Sequence, residues 1–225
     1  STYPPEAAQK PNVGSYVHLN AEKIVSLNPD LALGTVDGNE RAVVRLLEKA
    51  GIPVYVVNPR KVRDVISVIR EVGNVCGAPG RAEELAGMLD ARMERVAREA
   101  ALLPKPLVFI QINVRPIVTV NRNTFHHDVI RLAGGRNMTG QELATYPRIS
   151  VEEVIRRGPD VILISSMSRS GEYEQARQNW LRWDSIPAVK AGRVHLVDSD
   201  LLDRPSPRIV EGLERVAGLL HPDKF

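Results

Sequence analysis

The sequence predicts an α/β protein of two Rossmann-like lobes joined by one long helix, with a ligand cleft between the lobes. Three observations predict it. Short β-branched runs alternate with helical patterns along the 225 residues, as in parallel sheets flanked by helices. The segment from Gly80 to Leu103 reads as one unbroken helix. A single motif occurs twice, once on either side of that helix.

The strand-like runs are LALG (31–34), VYVV (54–57), LVFIQI (107–112), IVTV (117–120), VILIS (161–165) and VHLV (194–197). Apolar throughout rather than alternating, they read as strands buried on both faces. Helical patterns lie between them at 39–50, 61–75, 124–133, 150–157 and 206–220. GRAEELAGMLDARMERVAREAALL (80–103) has no Gly or Pro between Gly87 and Pro104. It predicts a helix of roughly 20 residues, about 30 Å long. The implied division is a lobe over 1–79, a linker helix over 80–103 and a second lobe over 104–225.

The repeated motif is LNAEKIVSLNPDLALG (Leu19 to Gly34) and ISVEEVIRRGPDVILI (Ile149 to Ile164). Asn20, Glu22, Pro29 and Asp30 correspond to Ser150, Glu152, Pro159 and Asp160 at a constant offset of 130 positions. Asn20 and Ser150 are good N-caps, and Ser150 with Glu153 predicts a capping box. Each copy reads as a helix of about two turns, stopped by proline and followed at once by a strand. One copy per lobe implies pseudo-twofold symmetry.

Composition excludes several classes. Thirty Lys+Arg against 27 Asp+Glu leave a net charge of +3, interspersed without a basic block, which argues against nucleic acid. No apolar run approaches the ~20 residues of a spanning helix. The opening STYPPEAAQ carries no signal peptide and reads as a mature, trimmed or cytosolic form. Cys76, the one cysteine, excludes an internal disulfide and reads as a small buried residue closing a helix. His126 and His127 are adjacent and point apart, while His18, His195 and His221 lie in separate segments. No metal site is predicted, and His126 is expected at the surface. G-x-S-x-G, P-loop and H-E-x-x-H motifs are absent, so no enzyme is predicted.

Ligands of open α/β sheets bind beyond the carboxyl ends of strands. The loops there are TVDGN (35–39), NPR (58–60), NVR (113–115), NRNTF (121–125), SSMSRS (165–170) and DSDLLDR (198–204). Asn113, Arg115 and Phe125 are candidate contacts in this rim. Tyr16 and Tyr146 stand six residues before Glu22 and Glu152, matched walls for a flat apolar ligand. Arg115, Arg122, Arg148, Arg169 and Arg204 suit an anionic ligand. Glu22 and Glu152 have a structural reading, as carboxylates favoured by a helix N-terminus. Their functional reading is one rim charge per lobe for a partner with two basic spots.

VGSYVHLNAEKIVSLNPDLALGTVDGN, TFHHDVIRLAGGRN, YPRISVEEVIRRGPDVILI and IPAVKAGRVHLVDSDLLDRPSPRIVEGLERVAGLLHP resemble the helix-linked substrate-binding proteins of ABC importers, and most closely their cobalamin-binding branch. The resemblance runs from about Thr2 to Pro222. It implies an extracytoplasmic monomer, periplasmic or on the outer face of the membrane, with or without a lipid anchor ahead of Ser1. It implies capture of a metal chelate, a corrinoid such as cobalamin, with a ferric siderophore or haem as the alternative, and no cofactor. Glu22 and Glu152 match the two acidic residues that dock membrane permease subunits. Tyr16, Tyr146, Asp200 and Arg204 match ligand contacts of the cobalamin branch. Thr35 stands where that branch has a further aromatic residue, and the haem-ligating tyrosine would fall at Ser15. Family members open with a further strand and helix, so the first lobe is expected to lack its initial strand.

Overall fold

The computed structural model describes residues 5–15, 18–37, 39–165 and 171–225. The chain forms two compact units, Ser1–Asn58 and Pro59–Phe225. The protein is α/β with parallel sheets in both.

The first unit holds a 3₁₀ turn (Pro5–Gln9), α1 (Ala21–Ser26), β1 (Ala32–Thr35), α2 (Arg41–Lys49) and β2 (Val54–Val57). β1 and β2 pair in parallel, Ala32 opposite Val54. Two strands alone bury little. Leu47 and Ile52 are the buried apolar side chains among the described residues of this unit, while Leu33, Val36 and Val56 stay exposed.

The second unit holds α3 (Val62–Val75), α4 (Pro79–Ala100), β3 (Leu107–Gln111), α5 (Phe125–Leu132), β4 (Arg136–Asn137), α6 (Val151–Arg157), β5 (Val161–Ile164), α7 (Glu172–Trp180), α8 (Pro187–Lys190), β6 (Val194–Leu196), α9 (Ser199–Leu202) and α10 (Ile209–Leu220). Its sheet has the order β4-β3-β5-β6, all parallel. Alternate residues feed two cores. Val108, Ile110, Val161 and Leu163 face α3, α4, α5 and α10. Phe109, Ile162 and Ile164 face α6, α7 and α8 with Trp180 and Ile186. Burial on both faces is why these strands read as continuous apolar runs.

The long helix forms as α4, 22 residues from Pro79 to Ala100. Ala82, Ala86, Leu89, Met93, Val96 and Ala100 are its buried stripe. It packs on α3, α5 and α10. The unit boundary falls before α3, whereas the sequence reading carried the first lobe through residue 79. α3 and α4 approach closely at Gly73, where an added Cβ would collide with Ala82 Cβ.

Both copies of the motif fold alike. Asn20 Oδ1 accepts from Lys23 N at 2.9 Å, and Ser150 Oγ from Glu153 N at 3.2 Å. Each helix is followed by a left-handed residue, Asn28 (φ 45°) and Gly158 (φ 57°), again 130 positions apart. Asparagine and glycine are the residues that adopt this conformation at low cost. The expected box at Ser150 forms by this half, because the Glu153 carboxylate accepts instead from Arg156 and Arg157. A second repeat was missed in the sequence. Lys49–Ala50–Gly51 closes α2 and Lys190–Ala191–Gly192 closes α8. In each case the next strand pairs in parallel with the motif's strand, Ala32 with Val54 and Ile162 with Val194.

Three local expectations are corrected. IVTV (117–120) is not a strand. Its backbone pairs residue by residue with two flanking loops, Ile112 N to Val118 O, Thr119 N to Pro147 O and Ile149 N to Ile117 O. β4 was missed because two polar residues carry no apolar period. Cys76 does close α3, but it is exposed.

Candidate functional site

The second unit presents its strand ends to loops tied down from below. Asn121, 1% exposed, is the main tie. Its N–H donates to Thr145 O at 2.9 Å and its Nδ2 to Glu142 O at 3.0 Å. Arg122 N donates to Gly140 O. The loop over 140–149 is therefore braced along its length, and it holds Tyr146 39% exposed and Leu143 99% exposed. A side chain on a braced, solvent-facing loop spares a ligand the cost of ordering the backbone. Tyr16, the proposed counterpart of Tyr146, lies outside the described residues.

Beyond β6, Asp198 caps α9 by accepting from Asp200 N at 2.8 Å. The cap fixes the turn that carries two sequence candidates, and the structure brings them together. Asp200 Oδ1 lies 3.4 Å from Arg204, whose side chain is 47% exposed. Arg208 reaches the other oxygen of Asp200 at 3.9 Å. The Arg204 guanidinium, partly exposed beside this carboxylate, is suited to donate hydrogen bonds to amide or phosphate oxygens.

The anchor of this edge was not foreseen. Asp203 Oδ1 accepts from Ser165 Oγ at 3.0 Å and from His126 Nε2 at 3.1 Å. All three side chains are buried. They join the end of β5, the start of α5 and the segment after α9. His126 is thus an internal residue, not a surface one, stacked on Phe125 at 4.4 Å between centroids. Phe125 is 7% exposed and belongs to the core, away from the rim position expected of it. Both stand in the first turn of α5, which starts where the helical pattern predicted but is packed into the core, with Thr124 Oγ1 capping His127 N. His126 Nδ1 and Asp203 Oδ2 have no hydrogen-bond partner among the described residues. The Ser–Asp–His order has the carboxylate in the middle, so nothing deprotonates Ser165. This is the wrong arrangement for a nucleophilic triad.

The weaker candidates after β3 divide. Asn113 is exposed, with Nδ2 donating to Pro116 O at 2.7 Å within its own turn. Arg115 is exposed and has no ion pair or hydrogen bond among the described residues. Of the other arginines, Arg122 donates to Gln141, Arg148 is exposed, and Arg169 lies outside the described residues.

Glu22 and Glu152 occupy equivalent places, exposed in the first turns of α1 and α6. The Glu152 carboxyl is held below its ordinary value by its own backbone N–H and by the Ser150 hydroxyl, so it is firmly anionic. Arg157 locks α6 in place, reaching Glu153 at 2.6 Å, Glu142 at 2.7 Å and Met138 O at 3.2 Å. Among the described residues, no group of three or more His, Cys, Asp or Glu converges on a metal position. No described helix is long and apolar enough to cross a membrane.

Comparison with known proteins agrees with this architecture. The periplasmic binding protein family matches residues 1–201. The vitamin B12-binding protein of Vibrio parahaemolyticus is 29% identical over 219 residues, 96% of this chain and 77% of that protein. The solved periplasmic vitamin B12-binding protein BtuF of Vibrio cholerae superposes with a TM-score of 0.87 at 26% identity, covering 98% of this chain and 85% of that one. The periplasmic haem-binding protein RhuT of Roseiflexus sp. RS-1 superposes equally, TM-score 0.87 and 26% identity, over 98% of this chain and 87% of that one. With nearly nine-tenths of its length matched, the chain belongs to the periplasmic binding protein family.

Proposed function

We propose that this protein is the extracytoplasmic capture subunit of an ABC importer and that its cargo is a corrinoid such as cobalamin. It acts as a monomer, performs no chemistry on the cargo and hands it to the membrane permease subunits. The observation that carries the reading is the braced rim of the second unit, where an exposed tyrosine and an Asp200–Arg204 pair stand on fixed loops. Vitamin B12-binding relatives over nearly the full chain support the choice of ligand. Tyr146 would stack on the flat face of the corrin, and Asp200 with Arg204 would meet its amide side chains. Tyr16 is the proposed contact from the first unit. Glu22 and Glu152 are the proposed docking carboxylates, alike in helix position and both exposed.

A haem or ferric siderophore is the second reading, favoured by the exposed arginines Arg115, Arg148 and Arg204, which suit propionates or an anionic chelate. Titration of the purified chain with cyanocobalamin, cobinamide, haemin and a ferric siderophore decides between them. Micromolar or tighter binding of the corrinoids alone supports the first reading. Binding of haemin or the siderophore alone transfers the function to the second. Rapid turnover of any of the four would overturn a pure binding role.

A further inference from the structure

We propose that the second unit carries a separate small-molecule site, an indole-walled cavity that takes a one- or two-ring aromatic carboxylate. The cavity has a volume of about 410 Å³ and is lined by residues of the β3 turn, the start of α6 and the end of α7. That size lies within the range of small-molecule sites, roughly 300–1,000 Å³.

Its floor is rigid. Trp180 is 3% exposed, donates from Nε1 to Gln111 Oε1 at 2.6 Å, and packs edge-on against Phe109 at 5.6 Å and 74°. With its single polar atom engaged, this indole contributes carbon surface. Trp183, 44% exposed, stands at the mouth. Ile117, Ile149 and Val151 add apolar wall, beside the polar Ser150 and Asn179. A large aromatic left half in water beside a preformed hollow offers stacking area at little ordering cost.

One charge faces this surface. Arg115 lines the cavity and has no ion pair or hydrogen bond among the described residues. The backbone turn that carries it is braced twice. Asn113 Nδ2 donates to Pro116 O at 2.7 Å, and Gln111 Nε2 donates to Asn113 O at 3.1 Å. Gln111, 2% exposed, therefore ties the indole floor to the turn that carries the cation. Mainly apolar walls with one unpaired guanidinium favour a flat apolar body bearing a carboxylate, which the guanidinium grips through two parallel hydrogen bonds. No carboxylate lines the cavity, so a cationic ligand has nothing to pair with. Arg115 is shared with the haem or siderophore reading, and displacement by those chelates separates the two uses.

Isothermal titration of the full chain with 1-naphthaleneacetate and its neutral analogue 1-naphthaleneacetamide tests the site. The expected result is saturable binding of the acid, weakened about tenfold or more by Arg115→Gln, with the amide's weaker binding unchanged by that substitution. Trp183→Ala weakens both ligands and abolishes any quenching that they cause. Both residues are exposed, so their variants retain the fold. Absence of saturable binding, equal affinity for acid and amide, or indifference to both substitutions would each overturn the proposal. Displacement of the acid by a corrinoid, haemin or ferric siderophore that itself binds the chain would also overturn it, by making the cavity part of the chelate site.

Discussion

His126 and Asp203 meet at 3.1 Å, Nε2 to Oδ1, with 4% and 2% of their side chains exposed. Ser165 donates to the same oxygen. This buried knot holds three chain segments under the rim, and truncating His126 leaves the buried Asp203 carboxylate only the Ser165 hydroxyl as a side-chain donor among the described residues. Removing one partner of a buried pair costs about 3–5 kcal/mol. His126→Ala is expected to lose that much in urea denaturation, and His126→Ala/Asp203→Ala less than the sum of the two single losses. A loss below about 1 kcal/mol in His126→Ala would show that the pair is not a structural tie.

Glu22→Ala and Glu152→Ala are expected to leave ligand affinity unchanged and to cut uptake in a reconstituted importer. Each should lower the rate several-fold, and the double variant more. A large loss of affinity in either would remove it from the docking role and make it a ligand contact.

Tyr146→Ala is expected to weaken corrinoid binding by about tenfold, the scale of one aromatic stacking contact. Tyr146→Trp should retain affinity, because the braced loop presents any flat ring in the same place. Unchanged affinity in Tyr146→Ala would move the ligand away from this loop.

Gly73→Ala forces a methyl into contact with Ala82 where α3 crosses α4. Overpacking of this kind costs about 1–3 kcal/mol. Ala82→Gly in the same chain should recover most of it, less about 1 kcal/mol for glycine within a helix. Urea midpoints of the two single variants and the double variant check this, and failure of the second change to rescue would refute the steric cause.

Acid is expected to destabilise the fold in two steps. Burial holds the imidazoles of His127, His195 and His221 below the ordinary value of 6.5. The native state then binds fewer protons than the unfolded chain, so stability is whole above about pH 6.5 and falls as pH drops through the depressed folded values. Glu153, held at about 2 by hydrogen bonds from Arg156 and Arg157, acts below its ordinary value of 4.5. Its contribution is present above that value and is lost as pH falls toward 2. Being open to solvent on one side, it adds little. Urea midpoints measured from pH 7.5 to 4.5 should fall steadily, and a rise between 6.5 and 5 would contradict the histidine assignment.

The legible parts of this chain are those whose signal is local. Asn20 and Ser150 cap helices because their side chains reach an N–H three residues on, a geometry written in consecutive residues. The long helix was readable from its composition and spacing, and β3 and β5 from apolar runs that serve two cores. The site was half legible. Asp200 and Arg204 are four residues apart and form a pair within one turn. Tyr146 was marked by its match to Tyr16, but the Asn121 bonds that brace its loop could not be seen.

What the sequence by itself determined is the α/β order, the repeated helix–strand unit and its caps, and the family resemblance, since each rests on short-range periodicity or on motif identity. Only the tertiary structure decided what is inside. His126 and Asp203 lie 77 positions apart, Ser165 and Asp203 38 apart, and Gln111 and Trp180 69 apart. No local pattern announces such pairs. It is the closing of the sheet that takes them out of water together and makes each the other's obligatory partner.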